Sequence, residues 1–197
     1  MLLNRFEKVM MNNPARALIQ RHFEARRLRS MGGSMPGGRA LEVGCGCGVG
    51  SGLILDMFGA ERVDAFDFDH HMAGLARTRH AKRANEVRLW QGDAAAIAVP
   101  DAAYDAVFDF GIIHHVPCWR AALREVHRVL KPGGRFYVEE VLKGFILHPL
   151  WRRVLDHPLE DRFDHDQFRT GLEECGFRVL ASNHIRAIAG WFIADKE

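Results

Sequence analysis

This sequence predicts an α/β fold: a doubly wound, mostly parallel sheet of seven strands, with helices on both faces and an antiparallel last strand. Three observations carry that expectation. Short apolar strand segments alternate with helix-period segments from residue 39 to residue 141. Two final strand segments follow with only a short loop between them, which reads as an edge hairpin. One strand also runs directly into a glycine-rich turn and a helix, "LEVGCGCGVGSGLI" at 41–54, with Gly44, Gly46, Gly48 and Gly50 inside seven positions.

Taken in order, Asn13-Pro14 marks a helix start, since Pro14 fits the first helical position, and the helix is expected to end at Gly32-Gly33. "GGSMPGG" is a linker and "RALEVGC" a strand. "GSGLILDMFG" is a helix closed by Gly59, "RVDAFDFD" the second strand, and residues 70–84 a helix. "VRLWQGD" and "YDAVFDFG" are the third and fourth strands. Trp119, Ala122, Leu123, Val126, Val129 and Leu130 recur at steps of three and four, one face of an amphipathic helix that "KPGG" stops. "RFYVEEV" is the fifth strand, and 142–163 is irregular. Asp164 and Gln167 form a capping box for a helix over about 165–175, with Phe163 and Phe168 as its hydrophobic staple. "FRVLAS" and "AGWFIADK" are the hairpin, joined around 183–188.

The 197 residues suffice for one sizeable core, and 48% hydrophobic with 26% charged residues is ordinary for a globular chain. The net charge of +2 forces no nucleic-acid or membrane assignment, but its distribution is uneven. Residues 1–39 carry eight Arg and Lys against two Glu, and the remainder is net acidic. We therefore divide the chain into a basic helical arm and linker, 1–38, and a main domain, 39–197. The arm reads either as a solvated helix face or as a contact for an anionic substrate or surface. Cys45, Cys47, Cys118 and Cys175 do not form a disulfide framework, and no signal-peptide pattern or long apolar run occurs, so a cytoplasmic setting is expected.

A strand, a glycine turn and a helix build a ligand cradle, because glycines allow close backbone approach. The dinucleotide fingerprint fails at Val49 when counted from Gly44, and the Gly-Lys-Ser/Thr of a phosphate-gripping loop is absent. What the residues do match is E/D-x-G-x-G-x-G, at Glu42, Gly44, Gly46 and Gly48. This resembles the first motif of class I S-adenosylmethionine-dependent methyltransferases. Asp67 at the end of the second strand, "QGDAA" after the third, "YDAVFDFGIIHHV" at the fourth and "LREVHRVLKPGGRFYVEE" after it are similar to the family's later segments, in its order. The resemblance spans about 39–196.

That resemblance implies a Rossmann-like fold and S-adenosylmethionine as cofactor. It places Gly44, Cys45, Gly46 and Gly48 against the methionine part, and Glu42 at its ammonium end. Asp67 would accept the ribose hydroxyls and Phe68 pack on the adenine. Asp93 and Ala94 would take the adenine amino edge, though Gly-Asp is also a common turn pair. The backbone at Asp109 and Phe110 would border the methionine amine, with Asp109 unusual for its size. His114 and His115 are the candidates for a general base or, alternatively, for packing. No metal site is expected, since His114, His115 and Cys118 lack a fourth ligand at a fitting spacing.

The expected acceptor is a small, fairly hydrophobic molecule, lipid-like or quinol-like, because the segment "GFILHPLWRRVLDHPLEDRF" is apolar and could cap it. It could equally be packing under a loop. "DFGII" stands where DNA-base methylases carry Asn/Asp-Pro-Pro-aromatic, so a nucleic-acid partner is not expected. Three other readings stay open: a cofactor-binding sensor or interaction module without turnover, an RNA or protein methyltransferase, and an NAD-dependent oxidoreductase with an unusual loop.

Overall fold

The computed structural model describes residues 13–148 and 160–197. Residues 1–12 of the basic arm and 149–159 of the apolar segment, to which an arm contact and an acceptor cap were assigned, lie outside the described residues. Seven strands form one sheet: β1 (Arg39–Val43), β2 (Arg62–Asp67), β3 (Val87–Gln91), β4 (Tyr104–Phe110), β5 (Leu130–Val141), β6 (Phe177–Ile185) and β7 (Ala189–Lys196). Their order is β3-β2-β1-β4-β5-β7-β6. β1 to β5 pair in parallel, and β7 runs antiparallel to both β5 and β6. The predicted doubly wound sheet and antiparallel last strand are what is found.

Helices cover both faces because the strands are apolar on both. On one face lie Ala25 and Leu28 of α1 (Pro14–Ile19, a π-turn Gln20–Glu24, then Ala25–Gly32), and α2 (Val49–Leu53, continued by a π-turn to Phe58). Ala76 of α3 (His70–Arg79) joins them, over Ala65, Phe108, Tyr137 and Ile193. On the other, Trp119, Leu123 and Val126 of α4 (Trp119–Val129) and Phe168 and Leu172 of α6 (His165–Glu174) pack on Val107, Phe136, Val138 and Phe192. A four-residue α5 (Lys143–Ile146) follows β5. No helix of the described residues is long and apolar enough to cross a membrane.

Several boundaries differ from the sequence reading, each for a local reason. The first helix is interrupted by its π-turn, whose wider winding turns both Gln20 and Glu24 inward, where they are buried. The helix at 70 ends at Arg79, five residues early, because His80 leaves it to bond the Gly48 carbonyl. β5 starts at Leu130 and absorbs "KPGG" as an irregularity in the β4–β5 register. The last turn is tighter than expected: Ile188 N–H donates to the Ile185 carbonyl, and Arg186 adopts φ of 50°.

At α6 the capping box is present. Asp164 accepts from the Gln167 amide at 2.8 Å, and the Gln167 side chain accepts from the Asp164 amide at 3.0 Å. The Phe163 and Phe168 rings meet at 4.6 Å, closing the staple. Asp164→Ala is expected to cost about 1 kcal/mol, read as a lower urea midpoint at unchanged slope. An unaltered midpoint would mean that α6 is held by its packing on Trp119 alone.

Candidate active site

The strand order reverses between β1 and β4, and ligands of open α/β sheets bind outside the carboxyl ends of the strands at such a point. A crevice of about 450 Å³ lies there. Its floor is Gly44 to Cys47. Asp67, Phe68 and Asp69 close the β2 side, and Asp93 and Ala94 the β3 side. Phe110, Ile112 and the stretch His115–Cys118 form the opposite wall.

Two glycines, one in the floor and one on α2 behind it, are required by contact. Gly44 has φ of +66°, and a Cβ there would stand 2.6 Å from Ile112 Cγ1. At Gly50 a Cβ would stand 1.9 Å from Glu42 Oε1. The β1 carboxylate thus occupies the space that a side chain on α2 would need.

Asp67 is the organising acid of the crevice. Its Oδ2 accepts from Gly46 N–H and its Oδ1 from Asp69 N–H, both at 2.8 Å. One carboxylate therefore ties the glycine loop to the turn after β2, while each oxygen keeps a second lone pair. Burial raises its pKa, and the two backbone donors oppose that. Asp93 is exposed on the crevice rim, with Oδ1 accepting from Ala95 N–H at 2.9 Å. Phe68 is 48% exposed, a large apolar face open to a ligand.

Not every expected residue reaches the crevice. Gly48 holds the back of the loop, its carbonyl bonded to His80 Nε2 at 2.7 Å. Glu42 is buried behind the loop and hydrogen-bonded by the Ser51 hydroxyl, so it is no direct wall of the crevice. Asp109 is fully buried beneath the wall, its Oδ1 accepting from Ile112 N–H at 2.9 Å. The two histidines part company. His115 lines the crevice, whereas His114 is turned inward, 3% exposed, with Nδ1 against Glu140 Oε2 at 2.6 Å. His114 is therefore corrected from a candidate base to a support of the wall: adjacent residues in this 3₁₀ turn (Ile113–His115) point in different directions.

Several supports were missed from sequence. Glu140 accepts Ile113 N–H at 2.6 Å, His114 N–H at 3.3 Å and Val141 N–H at 3.1 Å. The Arg162 guanidinium donates to the His114 carbonyl. Arg79 Nε donates to the Cys47 carbonyl at 2.8 Å. Apart from the contact to adjacent Val141, these pairings span 26 to 48 positions and follow no sequence period; only the second acid of "VEE", at the inward end of a strand, was a signal.

The site is rich in carboxyls that burial drives toward neutrality. Burial raises Glu42 to about 8, with Asp67 adding to the effect and the Ser51 hydroxyl opposing it. Burial also raises Glu140, to about 7. Asp109 is pushed well above the usual range, by burial first and then by the neighbouring Glu140 carboxyl. The Cys45 thiol is pushed up by burial and by Glu42 and Asp67, which makes it an inert filler of the loop.

These carboxyls bind protons more tightly folded than unfolded. Stability of the ligand-free chain is therefore expected to fall as pH rises from the ordinary carboxylate range through about 8. Urea unfolding at about pH 6 and about pH 9 checks the sign, and Glu42→Gln should flatten part of the slope. Stability that rises over this interval would contradict the placement of these groups.

Residues 40–134 match a family model described as a methyltransferase domain. The chain is 35% identical over 125 residues to a fatty-acid O-methyltransferase of Mycolicibacterium smegmatis, covering 63% of this chain and 44% of that protein. It is 33% identical over 151 residues to a malonyl-(acyl-carrier protein) O-methyltransferase of Serratia marcescens, covering 76% and 56%. The chain spans about half the length of these curated relatives. A solved S-adenosylmethionine-dependent methyltransferase from Aquifex aeolicus shares the fold, with a TM-score of 0.78 over 98% of this chain and 99% of that one, at 21% identity.

Proposed function

This chain carries a class I S-adenosylmethionine-dependent methyltransferase domain, and on that premise we propose that it transfers the methyl group to a small, apolar, lipid-like acceptor. The observation that carries the proposal is the crevice at the switch point, with a backbone floor at Gly44–Cys47, a carboxylate at the tip of β2 and an apolar far wall.

The residues fit the cofactor. Gly46 is without a side chain on the floor, and a Cβ there would meet only Met72 Cε, at 3.7 Å. Asp67 has lone pairs left that would take ribose hydroxyls, Phe68 would offer a ring face to the adenine, and Asp93 with Ala94 would take its amino edge. Glu42, buried behind the loop and bonded by Ser51, would support the loop that holds the methionine part. When bound, S-adenosylmethionine supplies a methyl group already activated on a sulfonium.

The chain's own task is then orientation and exclusion of water. Ile112, Val116 and Pro117 present an apolar surface that receives an acceptor opposite the glycine floor. A carboxylate acceptor arrives as its own nucleophile. For a phenolic or quinol acceptor, His115 is the side chain of the wall able to take the proton.

Isothermal titration with S-adenosylmethionine and S-adenosylhomocysteine, then labelled methyl transfer over a panel of long-chain fatty acids, hydroquinones and sterols, tests the proposal. Binding with label in an organic-extractable product is expected. No binding would remove the cofactor assignment. Binding with label only in RNA or protein would remove the apolar acceptor.

A further inference from the structure

Among the described residues nine large apolar side chains are exposed, and six of them are Leu18, Ile19, Phe23, Leu147, Ile185 and Ile188. They belong to α1, the end of α5 and the tip of the β6–β7 hairpin, and contacts link these elements. The Phe23 ring meets Trp191 edge-on at 5.8 Å, and Arg27 lies over the same indole at 4.4 Å. Ile185 pairs with Ala189, which shares a sheet face with Trp191 two residues on. The Ile188 carbonyl accepts from Leu142 N–H at 2.8 Å, at the start of the segment that carries Leu147. All this lies toward the carboxyl end of β5, the edge of the sheet on which the crevice opens.

On α1 the exposed charge is one-signed. Between residues 14 and 33 the chain has five arginines and a single acid, Glu24. That acid is buried and paired with Arg16 at 2.6 Å, so it offsets nothing outside. Arg21, Arg26 and Arg29 surround a shallow basin on the flank of α1, and Arg186 stands at the hairpin tip. Leu18 is 58%, Ile19 53% and Phe23 45% exposed beside them.

On α1, exposed apolar side chains flanked by arginine, with the helix's one acid buried, are the pattern of an interfacial helix, in which the apolar side chains enter the acyl boundary and the cations meet anionic headgroups. We propose that α1 and the β6–β7 tip form a docking surface for an anionic phospholipid bilayer, which brings the crevice to acceptors dissolved in it. The role, though not the surface itself, rests on the lipid-like acceptor proposed above. An RNA partner fits less well, because the exposed side chains at the centre of the strip are apolar and cannot read a base.

Flotation of the purified full chain with vesicles tests this without any methyl transfer. Co-flotation is expected with vesicles of phosphatidylcholine and phosphatidylglycerol, and not with phosphatidylcholine alone. Arg21→Gln, Arg26→Gln and Arg29→Gln should each weaken binding about fivefold, and Ile19→Asp with Phe23→Asp should abolish it. Leu75→Asp, an exposed apolar position outside the strip, should float like the unaltered chain. S-adenosylhomocysteine titration and thermal unfolding of each variant show whether it is folded. A chain that binds S-adenosylhomocysteine yet stays unfloated on both vesicles overturns the surface while leaving the methyltransferase reading intact. Equal flotation of the arginine variants, or arginine-dependent retention on RNA in place of flotation, overturns it as well.

Discussion

Asp67→Asn should raise the dissociation constant for S-adenosylhomocysteine by about thirtyfold or more, equivalent to about 2 kcal/mol. The carboxylate does two things at once. It accepts the amides of Gly46 and Asp69 from either side, and so fixes the glycine loop against the end of β2. The residue itself lines the crevice. Asparagine keeps the shape but replaces one acceptor by a donor, so one amide now meets another amide and a ribose hydroxyl loses its partner. The loop should loosen even without ligand, read as faster amide exchange at Gly46. Isothermal titration decides the matter: an unchanged dissociation constant would take Asp67 out of the site.

Glu140→Ala should be the most destabilising single change at the wall, at about 3–5 kcal/mol, or a fall in melting temperature of about 6–20 °C. Glu140 is fully buried and receives three backbone amides and the His114 imidazole. Removing it strands all four donors. Glu140→Gln should cost less, since its carbonyl still accepts from Ile113, although its amide cannot accept from His114. Urea unfolding ranks the two variants. If both lie within about 1 kcal/mol of the unaltered chain, the turn at 112–115 is held by something other than this carboxyl.

The two predictions differ in how far the sequence foreshadowed them. Asp67 was legible because a strand end is a local event: alternation ends there, and the acid stands at a fixed distance from the glycines. The crevice residues Gly44, Cys45, Gly46, Phe68, Asp93, Ala94, Phe110 and His115 were implied by the family resemblance, and all of them line one cavity. Glu140 was not legible. Its partners are 26 and 27 positions away, and a strand carrying two adjacent acids reads as a fraying end until the chain folds over it. The same holds for His80 and Arg79, which grip the loop from 32 positions off.

His114 and His115 show why neighbours in sequence need not share a role. One step along the turn carries a side chain from the crevice to the core, and only the position of Glu140 says which goes where. Glu42 shows a second limit. The motif places it beside the glycines, but the missing side chain of Gly50 is what draws its carboxyl backward, away from the open crevice.

The sequence by itself determined the order of strands and helices, the capping of α6, and the glycine floor with acids at the tips of β2 and β3, because each follows from periodicity or from a local backbone demand. Only the tertiary structure decided which of those acids face the crevice, which are buried, and which side chains brace the far wall, because burial and long-range hydrogen bonds exist only once distant segments have closed on one another.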